Sequence, residues 1–295
     1  MKKVNYIDLG ATLFVPSTHK NLEDILNAQK YPELKSVLID TEDGIEDEKY
    51  EVALEKIQRV LRTYDKQKLL LFIRPKNCDG LRELLSLEGI EKVDGFILPK
   101  FSLSNAKEYL KILEKKKFFI MPSIEGSELF NQAELYELRD ILLPYKEQIL
   151  LVRFGLEDML RQLRMKRSCE YSIFDYSAPA SVLGTFIAIF KSAGFGVSGG
   201  VYPCFKDDAG FIRDVKRDLR EGLFSKTIIH PKQIEITNEL YKVTKEEYDE
   251  ALYISKSDKA LSAINRKMAE IKTMKPYSLE IIRRAELYGI CDFKE

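Results

Sequence analysis

The chain has 295 residues, 45% hydrophobic and 32% charged, with 47 basic side chains balancing 47 acidic ones. That much apolar material excludes a disordered chain, and the length suits one α/β barrel of roughly 200 to 250 residues carrying a modest extension. The balanced charge removes the global positive field on which nucleic-acid and anionic-membrane binding rest, so neither partner is expected.

The opening MKKVNYIDLGATLFVP meets Asn5 and Asp8 early, and its apolar run is too short for a secretory leader. No stretch approaches the length of a membrane span. The four cysteines, Cys78, Cys169, Cys204 and Cys291, are widely spaced and form no C-x-x-C pair. Reduced thiols in a cytoplasmic protein are therefore expected, with neither a zinc knuckle nor a redox motif.

Short apolar runs bounded by turn residues recur along the chain, at 12–15 (TLFV), 37–40 (VLID), 69–74 (LLLFIR), 95–98 (GFIL), 118–122 (FFIMP), 149–154 (ILLVRF), 197–202 (VSGGVY) and 227–230 (TIIH). Segments with helical spacing separate them, at 21–29, 49–63, 104–114, 127–138, 180–192 and 209–221. Ser104 and Asp47 stand where helix N-caps are expected. Strands alternating with helices at this count predict an α/β fold, a closed (β/α)8 TIM barrel, rather than an open doubly wound sheet. After His230 the texture becomes charged and helical, at 234–241, 245–258 and 279–288, with Lys275-Pro276 expected to separate the last two. No strand signal is visible there. The predicted organisation is a barrel over residues 1–242 and a C-terminal helical extension over 243–295.

In such a barrel the active site lies at the carboxyl ends of the strands. That rule selects Asp40, Thr41, Glu42 and Asp43 after the second run, Arg74 and Asn77 after the third, and Lys100 after the fourth. It also selects Ser123 and Glu125 after the fifth, Glu157 and Asp158 after the sixth, and Lys226 and His230 around the eighth. Glu125 and Asp158, at adjacent strand ends, form a carboxylate pair of the kind that holds Mg2+, with Mn2+ as the alternative, water and substrate oxygens completing the shell. A His-rich zinc site is disfavoured because His19 and His230 are the only histidines.

These residues sit in segments that resemble the citrate lyase β-subunit family, with its malyl-CoA and citramalyl-CoA lyase relatives, within the HpcH/HpaI aldolase group. LFVPS is similar to the family's LFVPG opening, IDTEDGIED to its DLEDxV segment, FIRPKN to the strand with the RxN arginine, and FILPKF to its LPK turn. MPSIEGSELF, FGLEDML and GLFSKTIIHPKQIEITN follow in family order. The resemblance implies a metal-dependent carbon–carbon lyase that cleaves a 3-hydroxy acid or its thioester and releases or uses an α-keto acid. It implies that Glu125 and Asp158 bind the metal, that Arg74 contacts the substrate carbonyl or carboxylate, and that Glu42 and Asp43 orient Arg74 and metal-bound water. Lys100 and Lys226 are the further candidates for substrate binding. Family precedent also implies a homo-oligomer, a trimer or a hexamer built from trimers, with Ile236, Leu240, Tyr241 and Tyr248 expected in the contact.

Other roles stay open at these positions. Arg74 also suits an ordinary barrel ion pair with Glu42, Glu157 a structural neighbour of Asp158, His230 a satisfied turn histidine, and Lys226 a solvent-facing lysine. The chain departs from the family at Ser17, where glycine is usual, and at Gly199, where an aspartate precedes Gly-Val. No copy of the acyl-CoA lyases' C-terminal lid is visible, which turns the expected substrate toward a free acid or an unusual acyl carrier. The alternative from another class is a catalytically reduced barrel that binds a metabolite or a partner protein.

Overall fold

The computed structural model describes residues 4–292 apart from 28, 67–68 and 266. They fall into two compact units, Met1–Ile234 and Glu235–Glu295.

In the first unit the apolar runs form parallel strands β1 (Ala11–Pro16), β2 (Ser36–Asp40), β3 (Leu70–Arg74), β4 (Gly95–Leu98), β5 (Phe119–Ile124), β6 (Arg153–Phe154) and β7 (Lys226–Ile228). Their order in the sheet is β6-β5-β4-β3-β2-β1-β7. The segment at 197–199 lies between the two ends of that sheet, joined by the single bridges Val152↔Val197 and Gly199↔Lys226, and so closes the ring. This seventh position was expected to be a full strand. Its Gly199-Gly200 pair and Pro203 weaken the ladder, since glycine contributes no side chain to the pleat and proline no N–H.

The connecting helices are α1 (Leu22–Leu26), α2 (Tyr50–Thr63), α3 (Cys78–Leu85), α4 (Ala106–Leu113), α5 (Gln132–Leu142), α6 (Leu156–Gln162), α7 (Ser177–Ser192) and α8 (Asp208–Arg220). Each buries one stripe, as α2 does with Ala53, Ile57, Val60 and Leu61, spaced by three and four residues. Asn77 caps α3 by accepting from Gly80 N at 2.9 Å, and Asp207 caps α8 by accepting from Gly210 N at 2.8 Å. The caps expected at Ser104 and Asp47 fall elsewhere: Asn105 precedes α4, and Asp47 opens a 3-10 turn ahead of α2. Phe72, Phe96, Phe186 and Phe190 are fully buried in the core, where truncation of one ring to Ala costs about 3–5 kcal/mol.

Helix α9 (Lys232–Leu240) leads into the second unit, which contains β8 (Val243–Thr244), α10 (Lys245–Lys256), β9 (Leu261–Ile264), β10 (Lys267–Glu270), α11 (Ile271–Tyr288) and β11 (Ile290–Cys291). Thr244 and Glu247 form a capping box that starts α10. The extension is mainly helical, as the sequence indicates, but it also holds an antiparallel β9–β10 hairpin that the sequence does not announce. Pro276 sits inside α11 rather than separating two helices; in the second turn a proline forfeits a single amide donor. Tyr241 is buried edge-on against Tyr288, ring centroids 5.3 Å apart, and its carbonyl accepts from Arg284 Nε at 3.0 Å. Tyr241 is thus packed within its own unit, which removes it from the expected subunit contact. Among the described residues no helix is long and apolar enough to cross a membrane.

Candidate active site

The parallel register brings Asp40 and Arg74 side by side at the carboxyl ends of β2 and β3. Arg74 donates from Nε and Nη2 to the two oxygens of Asp40, both at 2.6 Å, and its Nη1 lies 3.0 Å from Glu42 Oε2. Asp40 is fixed in turn by the backbone N–H groups of Glu42 (3.1 Å) and Gly44 (3.0 Å). Burial by itself lowers the Arg74 guanidinium, but Asp40 and Glu42 outweigh it and hold the group well above its ordinary range.

Lys100 occupies a left-handed backbone position, φ 47°, immediately beyond β4. Such a conformation is sparsely populated by residues other than glycine, and here it aims the ammonium at Glu42 Oε1 (2.6 Å) and Asp43 Oδ1 (3.2 Å). Burial raises the Glu42 carboxyl, opposed by Arg74 and Lys100. The charges thus form a chain from Asp40 through Arg74 and Glu42 to Lys100 and Asp43. Asp43 is exposed and bonded to Lys100, so the expectation that it orients Arg74 gives way: Asp40 and Glu42 hold that arginine.

Glu125 follows β5, is 5% exposed, and its Oε2 has no hydrogen-bond partner. Burial, reinforced by the charges of Glu42 and Asp158 and opposed by Ser123 and Arg74, raises its carboxyl to about 7. Asp158 lies in the first turn of α6, half-buried, with Arg161 Nη2 at 2.8 Å. Gly155 makes room for this arrangement, since a Cβ there would fall 2.4 Å from Glu125 Cγ. A buried carboxylate oxygen without a donor, electrostatically coupled to a second carboxylate, suits a hard divalent cation, whose charge would offset the burial and the neighbouring carboxylates that raise Glu125. Among the described residues no three His, Cys, Asp or Glu side chains gather as a metal cluster. Mg2+ commonly accepts one or two carboxylates and completes its shell with water and substrate oxygens.

Lys226 lies away from the basin. It begins β7, at the amino end of the strand, and its buried ammonium contacts Asp214 and Asp218 of α8 at 2.6 Å each. Arg167 closes the same cluster on Asp214. The expected substrate-binding role of Lys226 is corrected accordingly, because two buried carboxylates occupy its ammonium. Gly199 faces this cluster, where a Cβ would fall 2.2 Å from Asp218 Oδ2. The missing strand-seven aspartate is thus matched by acids from the helix outside. His230 is satisfied in its turn: its Nδ1 accepts from Lys232 N at 3.3 Å and its ring stacks on Phe205 at 5.0 Å.

The structure also pairs Cys169 with Cys204 in a disulfide, Cα atoms 6.0 Å apart, leaving Cys78 and Cys291 free. Four reduced thiols were expected. The partners stand 35 residues apart, a spacing without a motif, and only the fold brings their loops together. The strand-end rule selects Asp40 without indicating that it braces Arg74, and it passes over the buried Arg153, which lies one position before the end of its run. A charge inside the otherwise apolar ILLVRF segment is the signal that would have found it.

Clustered acids and a braced arginine at the carboxyl rim of a (β/α)8 barrel place the chain among barrels of the enzyme type. The C–C bond lyase family of the TIM-barrel fold matches residues 3–290, and the chain belongs to that family. It is 26% identical over 293 residues to the citrate lyase β-subunit of Escherichia coli strain K12, covering 94% of this chain and 93% of that protein. It is 22% identical over 217 residues to a (3S)-malyl-CoA thioesterase of Cereibacter sphaeroides, covering 72% and 71%. In fold it is similar to CitE of Mycobacterium tuberculosis solved with magnesium, acetoacetate and coenzyme A, at TM-score 0.69 and 17% identity over 94% of this chain and 98% of that one. The citrate lyase β-subunit of the same organism, complexed with oxaloacetate and magnesium, gives 0.60 at 18% identity, covering 81% and 99%. The chain is a citrate lyase β-subunit-like carbon–carbon lyase.

Proposed function

We propose that the rim of the barrel is a Mg2+-assisted site that cleaves or forms the carbon–carbon bond of a 3-hydroxy acid or its thioester, with an α-keto acid as product or substrate. The carrying observation is the buried Glu125 oxygen left without a donor and coupled to Asp158. Glu125 and Asp158 would hold the cation, which when bound supplies Lewis-acid stabilisation of charge developing on the substrate oxygen. Mn2+ would serve the same pair.

Arg74 has one N–H on each amino group beyond those given to Asp40 and Glu42, and with them it polarises the substrate carbonyl. Asp40 and Glu42 fix its plane, so no reorganisation is needed as charge builds. Lys100 keeps Glu42 in place and tethers Asp43 at the mouth, where a substrate carboxylate or thioester carrier would meet its exposed ammonium. A catalytically reduced barrel has no need of this constellation, which favours the enzyme. A free acid or an unusual acyl carrier is preferred over a CoA thioester because the lid pattern of the acyl-CoA lyases is not visible in the sequence.

A cytoplasmic location is proposed on the widely spaced cysteines, which form no C-x-x-C pair, and the Cys169–Cys204 disulfide is the observation that opposes it. A homo-oligomer, trimeric or hexameric, is proposed on the exposed Tyr277, Leu279 and Ile290 of the second unit. Light scattering is expected to give a multiple of the chain mass, and a dilution-independent monomer would overturn this. The function itself is tested by following pyruvate, oxaloacetate or glyoxylate release from citramalyl, citryl and malyl substrates, free and as CoA thioesters, with Mg2+ and with chelator. Chelator-sensitive release is expected. Release from none of them would sink the proposal.

A further inference from the structure

Arg153 occupies the inward position of β6, opposite Ser123, and is 5% exposed. Its guanidinium reaches across the barrel interior, one amino group donating to Thr227 Oγ1 of β7, and it lies 5.2 Å from the ring centroid of Phe14 on β1. Arg74 lies 5.5 Å from the same ring, so two guanidinium groups share one aromatic platform beneath the rim. Their partners differ. Arg74 is braced by two carboxylates, and the buried Arg167 by Asp214. Arg153 makes no ion pair among the described residues, and its Nη1 has no hydrogen-bond partner.

An uncompensated buried cation costs several kcal/mol, and proteins neutralise it with a counter-anion. Glu125 is the nearby candidate within the chain, yet its own Oε2 is unpartnered in the same structure. Once that carboxylate is committed to a cation its charge is no longer available to Arg153. The remaining anion that reaches this depth is the one the site binds.

We infer that Arg153 is a substrate-binding residue, its free amino group taking a carboxylate oxygen of a small 2-oxo acid whose carbonyl faces Arg74. This rests on the proposed metal-assisted site and extends it: the acid is read by two guanidinium groups on β3 and β6, one braced by carboxylates and one with a buried, unpartnered amino group. Thr227 holds the second amino group and fixes the direction of the first. The substrate class that fits is a compact carboxylate, since the 5% exposure of Arg153 leaves little room beside its guanidinium.

The test titrates Mg2+, then pyruvate and oxaloacetate with Mg2+ present, into wild type, Arg153→Met and Arg153→Lys by calorimetry. Losing a hydrogen bond to a charged group should weaken 2-oxo acid binding roughly tenfold to a hundredfold in the Met variant, and less in the Lys variant. Mg2+ affinity should stay the same or rise, because a positive neighbour of Glu125 has gone. A loss confined to oxaloacetate supports the inference and assigns Arg153 to the distal carboxylate. Unchanged affinity for both acids in a folded variant overturns it, as does a fall in Mg2+ affinity, which would make Arg153 a support for Glu125 only. If the Met variant does not fold, the Lys variant decides by the same criterion. Wild type that binds neither acid defeats the proposed site itself, a result distinct from equal binding by wild type and variant.

Discussion

Replacing Glu125 with Gln should stabilise the metal-free protein while abolishing its response to Mg2+. Burial lifts the Glu125 carboxyl from its ordinary 4.5 to about 7. The folded chain therefore keeps a proton that the unfolded chain releases, and the resulting cost is absent below about pH 4.5, grows with pH, and is complete above about pH 7. At about 1.4 kcal/mol per decade of proton affinity the penalty reaches roughly 3 kcal/mol, or roughly 6 °C in melting temperature for a domain of this size. Gln is near-isosteric and carries no charge, so Glu125→Gln should recover most of that at pH 8 in chelator and little at pH 5. Wild type should gain stability from added Mg2+ at pH 8, and the variant should not. The Mg2+ affinity of wild type should also fall about tenfold per pH unit below 7, because a proton must leave Glu125 before the cation binds. Thermal unfolding at both pH values, with chelator and with Mg2+, measures all of this. A variant less stable than wild type at pH 8 in chelator, or one still stabilised by Mg2+, would refute the reasoning.

Arg74→Lys keeps a charge at the rim but loses the planar fork on Asp40, and should lower kcat by about 10² to 10³; near-full turnover would make Arg74 structural only. Lys226→Met leaves Asp214 paired with Arg167 alone and the buried Asp218 without the Lys226 ammonium, which should destabilise the fold by about 3–5 kcal/mol in urea titrations. Adding Asp218→Asn to that variant should restore part of the loss, and no restoration would disprove the charge account. Alkylation under non-reducing denaturing conditions should label Cys78 and Cys291 and spare Cys169 and Cys204, with mass spectrometry counting the adducts.

The barrel was legible because aliphatic runs such as VLID and GFIL cannot be exposed, and their alternation with helical spacing admits few topologies. The positions of Glu42, Arg74, Lys100, Glu125 and Asp158 were legible for the same reason, being the polar residues that follow those runs. Their partners were not. Whether Arg74 meets Asp40 or Asp43 depends on the register between β2 and β3 and on a turn that folds Asp43 outward onto Lys100. A linear pattern carries neither.

Periodicity and strand-end position by themselves determined the fold class, the rim to which we assign the chemistry, and the acids and arginine placed there, since these follow from local hydrophobicity and chain direction. The tertiary structure decided which charges neutralise one another. It turned Lys226 outward onto Asp214 and Asp218 because β7 begins at that residue, and it joined Cys169 to Cys204 across 35 residues. It also set Arg153 inside the barrel with one amino group unpartnered. Pairings of this kind arise between segments distant in sequence and are fixed by distance and burial, neither of which is encoded in the spacing along one strand or helix.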